Sequence, residues 1–220
     1  MTTPLGTSKL LSILIVGATG GLGKSLVQEC LARGHSIAVL VRNKEKFERD
    51  YSNINYVWPT SSIFVGDAAS DDPIVKKACE GKDVVLMGIG AVEEIARVVA
   101  EESKATGVKK MVHVAGATNV MDADGVTPLW KKFAASWPPA ERAFIAHGKC
   151  IDAIRKTGIN HVIFCPAYMS SKEKKSSPVA VPKINRESGN FVSYEDAAHV
   201  MVDAAEKSDW DGQLITAATN

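Results

Sequence analysis

Glycines at positions 17, 20 and 23 follow the β-branched run Ile13-Leu14-Ile15-Val16 at a spacing of three. That arrangement could hold the pyrophosphate of a dinucleotide. Gly17 can turn the chain sharply, Gly20 lets backbone approach a phosphate with no Cβ in the way, and Gly23 lets the next helix pack on the strand. Thr19, Gly21 and Leu22 complete the loop. The unpaired N–H groups of the first helical turn would face an anion, which the helix dipole favours. The spacing is G-x-x-G-x-x-G, not the commoner G-x-G-x-x-G. Context therefore carries the reading: a strand stands before the glycines and a helix after them.

The end of the second strand speaks to which dinucleotide is bound. Arg33-Gly34-His35 gives the first helix a basic last turn and a glycine stop, and Ser36–Val41 reads as a buried parallel strand. A site for NAD usually ends that strand in Asp or Glu, accepting from the ribose hydroxyls. Arg42-Asn43-Lys44 stand there instead, with Lys46 nearby. A carboxylate would repel a 2′-phosphate, whereas Arg42 can pair with it through charge-assisted hydrogen bonds. NADP(H) is expected over NAD(H); the plainer alternative is a basic surface loop.

The elements that must position these groups repeat as strand then helix. Ser62–Asp67 reads as a third strand, after an aromatic and polar segment from Phe47 to Thr60. Asp71-Asp72-Pro73 caps and opens a helix that ends near Gly81. Asp83–Met87 is a fourth strand, a helix follows from Val92 to Thr106, and Lys110–Ala115 is a fifth strand. A long segment containing Trp and Pro leads to a helix over Pro139–Lys156, then a sixth strand over His161–Cys165. Such alternation predicts an α/β fold: one domain spanning 1–220, a three-layer Rossmann fold with a doubly wound parallel sheet and a small C-terminal extension on the substrate side. Ligands on such sheets bind at the carboxyl ends of the strands. Beyond the glycine loop and Arg42, those ends carry Asp67 and Ala68, then Gly88, Ile89 and Gly90. Ala115 through Thr118 and Pro166, Ala167 and Tyr168 follow.

Composition sets the outer limits. The 220 residues are 45% hydrophobic and 23% charged with a net charge of +1, an ordinary globular balance with no nucleic-acid footprint. The run Lys172-Glu173-Lys174-Lys175 reads as a solvated loop. Met1 to Leu10 carries one Lys and no signal-type core, and no apolar stretch reaches the roughly 18 residues of a membrane span. Cys30, Cys79, Cys150 and Cys165 show no C-x-x-C pair and no metal-ligand spacing. They read as reduced core residues, with no metal and a cytoplasmic location expected.

With these motifs in view, the chain resembles the atypical short-chain dehydrogenases/reductases with an NAD(P)H-binding, NmrA-like domain. The resemblance rests on Gly17–Gly23, Arg33-Gly34-His35, Val39–Asn43, Val65–Ala68 and Asp83–Gly90. The second half is similar to biliverdin-IXβ reductase/flavin reductase-type members over Gly107–Val112, Ala153–Ile159, Val192–His199 and Asp209–Gln213. This implies an NADPH-dependent oxidoreductase passing hydride to a permissive aromatic small molecule, in a monomer or homodimer. The alternative is a catalytically silent NADP(H)-sensing regulatory protein of the NmrA-like type. An epimerase or dehydratase would need an acid/base pair that the sequence does not offer.

The proton-transfer apparatus departs from the group. Typical members use a helical Tyr-x-x-x-Lys pair, whose spacing sets both side chains on one helix face. Tyr168-Met169-Ser170-Ser171-Lys172 matches by letter but follows the sixth strand, and four residues before Lys149 stands Ile145. Tyr168 is therefore read as part of a loop facing the cofactor. The usual serine is replaced by Gly116, with Thr118 two residues on. His113 reads as a satisfied core residue. His147 is the histidine to test as a proton donor, against the alternative of a helix-surface residue. The segment 119–139 is expected on the substrate side, where Val120, Met121, Leu129, Trp130, Phe133 and Trp137 could form an apolar wall; the alternative is that its aromatic residues pack on the sheet or form a subunit contact. Reduction of a flavin or tetrapyrrole can take its proton from water, leaving the protein to align two rings.

Overall fold

The computed structural model describes residues 10–70, 73–171 and 182–219. The Asp71-Asp72 cap, Lys172 and the basic run after it, and residues 1–9 lie outside them. β1 (Ser12–Val16) leads into α1 (Gly21–Ala32), β2 (Ser36–Val41), α2 (Lys44–Asp50), β3 (Ile63–Val65) and α3 (Pro73–Cys79). β4 (Val84–Met87), α4 (Glu93–Ala105), β5 (Lys110–Val114), α5 (Leu129–Phe133), α6 (Ala140–Lys156) and β6 (His161–Phe164) follow. The chain then forms β7 (Tyr168–Ser170), β8 (Lys183–Ile184), β9 (Phe191–Ser193), α7 (Tyr194–Glu206) and β10 (Leu214–Thr216). The sheet runs β3-β2-β1-β4-β5-β6-β10-β8, parallel except at the β8 edge, and β7 and β9 pair in a separate parallel ribbon. The order reverses between β1 and β4, which is where a doubly wound sheet binds ligands.

Strand side chains alternate between two apolar layers, as a period of two requires. Ile13, Ile15, Val39, Leu86, Val112 and Phe164 face α1 and α7. Leu14, Val16, Leu40, Val85, Met87 and Ile163 face α3, α4 and α6. Both faces are covered, which is why the strands read as almost unbroken apolar runs.

Several expectations need correction at this level. The aromatic and polar segment from Phe47 begins inside a helix that the sequence reading did not place, α2. Asn43 caps α2, its Oδ1 accepting from Lys46 N at 2.6 Å, and Phe47 packs on Tyr51 and Trp58 at ring-centroid distances of 4.7 and 4.8 Å. Arg33 lies just past α1 and not in its last turn, and Gly34, at φ +79°, makes the stop. Cys165 sits one residue beyond β6. All four cysteines are buried and unbridged, and burial drives every thiol pKa up, that of Cys79 to about 11. Among the described residues no helix is long and apolar enough to cross a membrane.

Candidate functional site

The glycine loop takes the shape its residues allow. Gly17 sits at φ +88°, where a Cβ would lie 2.5 Å from Ile89 Cγ1, and Gly20 N donates to Gly17 O at 3.1 Å. A Cβ on Gly23 would lie only 2.0 Å from Gly17 O, so the helix can approach the loop there only as glycine. Gly20 precedes α1 without a side-chain cap, leaving the first-turn N–H groups to whatever anion arrives. A Cβ on Gly20 would meet nothing nearer than Gly17 O at 3.5 Å, so that face opens outward. Leu22 is buried in the core, so only its backbone is available to a ligand.

A cavity of about 510 Å³ opens in front of this loop. Gly17, Thr19, Gly20, Arg42, Asp67 and Ala68 line it, with Gly88 and Ile89 on the β4 side. Arg42 is exposed at its rim. Lys46 does not line it. Its Nζ donates to Thr19 O at 3.2 Å and pairs with Asp50 Oδ2 at 2.8 Å, bracing α2 against the loop. An open cradle, uncapped helix N–H groups and an arginine at the rim fit a dinucleotide.

Gly88 also lines a second cavity of about 610 Å³, so both cavities border the end of β4. Gly90, Ala115, Gly116, Thr118, Pro166 and Ala167 contribute to the second cavity, as do Tyr168 and His147. Of the expected apolar wall, Phe133 and Trp137 are present. Val120 and Leu129 are instead buried in the core, Trp130 stacks on Phe144 at 5.6 Å, and Met121 pairs through its backbone with Glu187 and Asn185. Sequence reasoning missed Ala143, Met169, Asn190 and Tyr194, which complete the lining. Their signal was faint, since three of them follow the sixth strand, where strand and loop alternate too quickly to read.

His147 is not on the helix surface. A Cβ on Gly116 would lie 2.8 Å from its Cδ2 and 2.9 Å from its Nε2, and one on Gly90 would lie 3.0 Å from its Cε1. The imidazole fills room that two glycines leave. Its Nδ1 is buried without a partner among the described residues, and burial lowers its pKa. His113 lies within β5 at 0% exposure, and neither ring nitrogen has a partner among the described residues. It is a core residue, but not a satisfied one. Burial, then the charge of His147, push its pKa down to about 3. Thr118 Oγ1 donates to Asn119 Oδ1 at 3.1 Å. Tyr168 is 72% exposed on β7.

A glycine loop at the switch point of a doubly wound sheet, opening onto a strand-end cavity, defines a nucleotide-binding α/β domain. A family model described as NAD(P)H-binding matches residues 17–208, and the chain belongs to that family. Solved structures share the fold. A candidate epimerase of Bacteroides thetaiotaomicron superposes with a TM-score of 0.78 at 23% identity, over 96% of this chain and 98% of that one. The anaerobilin reductase ChuY of Escherichia coli gives 0.73 at 18%, over 94% and 96%. A candidate NADH-flavin reductase of Streptococcus pneumoniae gives 0.73 at 20%, over 96% and 100%. At such identities the likeness establishes the fold alone, and the NAD(P)H-binding assignment rests on the family match.

Proposed function

We propose that the protein is an NADPH-dependent oxidoreductase of the flavin- and biliverdin-reductase kind, acting on a permissive aromatic acceptor. The observation that carries this reading is that the glycine-loop cavity and the aromatic-walled cavity share Gly88 at the end of β4. Bound NADPH would supply a hydride. The first-turn N–H groups of α1 hold the pyrophosphate, and Arg42 meets the 2′-phosphate. Phe133, Trp137 and Tyr168 flank the acceptor ring. Holding two rings face to face supplies most of the rate effect. The fold shared with ChuY and the streptococcal protein is in keeping with this chemistry.

Solvent supplies the proton in this reading. Thr118 spends its hydroxyl hydrogen on Asn119. His147, its pKa lowered by burial, is neutral at pH 7 and holds no imidazolium proton to give. Tyr168 stands in water. Thr118→Ala, His147→Ala and Tyr168→Phe should therefore each keep kcat, at saturating NADPH, within about tenfold of wild type. A positioned acid would be worth roughly 10²–10⁴-fold. A loss beyond about a hundredfold in one variant that still binds cofactor makes that residue the proton donor. The functional test is NADPH oxidation with FMN, FAD, biliverdin, dichlorophenolindophenol and quinones. No turnover with any of them, with NADPH binding intact, would favour the cofactor-sensing alternative.

A further inference from the structure

One side chain stands where the cofactor cradle meets the acceptor cavity, and the glycine motif does not account for it. Tyr194 is the first residue of α7, and the cap beneath it is firmly built. Ser193 Oγ accepts from Asp196 N at 3.0 Å, Asp196 Oδ2 accepts from Thr219 Oγ1 at 2.6 Å, and Ser193 N donates to Thr219 Oγ1 at 2.8 Å. The ring then lies against the start of α1. A Cβ on Gly21 would stand 2.6 Å from Tyr194 Cε2, 2.7 Å from Cζ and 3.1 Å from Oη. Tyr194 also lines the larger cavity. Among the described residues its hydroxyl makes no hydrogen bond. Gly21 thus owes its missing side chain to this ring, whereas Gly20 faces open space.

We infer that Tyr194 positions the nicotinamide half of the cofactor. Its hydroxyl, held at the first turn of α1, donates to a pyrophosphate oxygen, and its ring turns the nicotinamide toward the acceptor cavity. A phenol suits the task, because it donates a hydrogen bond at neutral pH and brings no negative charge to an anion site. The inference rests on the reading of the two neighbouring cavities as the cofactor and acceptor sites.

Calorimetric titration of the full chain tests it, with NADPH and with adenosine 2′-phosphate, which has the 2′-phosphate but no pyrophosphate. Tyr194→Phe should weaken NADPH at least about tenfold, the scale of one hydrogen bond to a charged group, and leave adenosine 2′-phosphate and the melting temperature unchanged. Gly21→Ala, whose methyl displaces the ring, should show the same selective loss. Wild-type NADPH affinity in Tyr194→Phe overturns the inference. Equal losses for both ligands, with a lowered melting temperature, overturn it too by making the tyrosine structural. Binding requires no turnover, so a wild type that binds NADPH yet reduces no acceptor removes the reductase reading alone.

Discussion

Gly116 and His147 illustrate how far single residues can be read. The absent hydroxyl at 116 is visible in the sequence, but what fills its place is not, since His147 arrives from a helix distant in the chain. Arg42 is the opposite case. Its proposed role, pairing with a 2′-phosphate, comes from its place at the end of β2, and the residue lines the cavity. Arg42→Ala should weaken NADPH by about 1.5–3 kcal/mol and leave NADH nearly unchanged, because only the 2′-phosphate loses a charged partner. Paired titrations with the two cofactors check this, and equal losses would assign Arg42 another task. Lys46 shows the limit of composition: two neighbouring cations look alike as letters, yet this one is held by Asp50 and Thr19.

At the scale of elements, α1 and α7 are joined by a cluster that no local pattern announces. Arg33 Nη1 reaches Asp203 and Glu206, each at 2.7 Å, and Nη2 reaches Glu29 at 2.7 Å, with His199 Nδ1 at 2.9 Å. The Arg33 side chain is 17% exposed, so most of it is withdrawn from water. Arg33→Ala would take the shared guanidinium from Glu29, Asp203 and Glu206, leaving Lys207 on Asp203. The expected loss is about 2–3 kcal/mol of folding stability, below the range for a fully buried pair because some solvent remains. The midpoint of urea unfolding measures it, and an unchanged midpoint would mean that apolar contacts alone join the two helices. The clamp matters to the site because α7 carries Tyr194 onto α1.

For the molecule as a whole, His113 ties stability to pH. The folded protein keeps this imidazole neutral down to about pH 3, whereas in the unfolded chain it protonates near 6.5. Between those values the unfolded state binds the extra proton, so this contribution to stability is complete above pH 6.5 and is lost as pH falls toward 3. The slope reaches about 1.4 kcal/mol per pH unit where the difference is one full proton. His113→Leu removes that proton uptake and the two unpartnered nitrogens together. Unfolding free energies from pH 7 to 4 should fall less steeply for the variant than for wild type. Parallel curves would show that carboxylates alone set the acid sensitivity.

The alternation of apolar strands with glycine-stopped helices determined the doubly wound sheet, because both periodicities are local properties of the chain. The shape of the glycine loop was legible for the same reason, since its turn lies within a few residues of one strand end; Arg42 stands as near to its own strand end, and its pairing with a 2′-phosphate is a proposal. The short strands β7 to β10 and the helix α2 were not, since two or three paired residues leave no periodic signal and α2 is only seven residues long. Only the tertiary structure decided which groups share the second cavity. It brought Tyr194 onto Gly21, tucked His147 between Gly90 and Gly116, and kept Phe133 and Trp137 in the wall while burying Val120 and Leu129. Those pairings join residues far apart in sequence, and they are set by how helices pack on the sheet rather than by any motif.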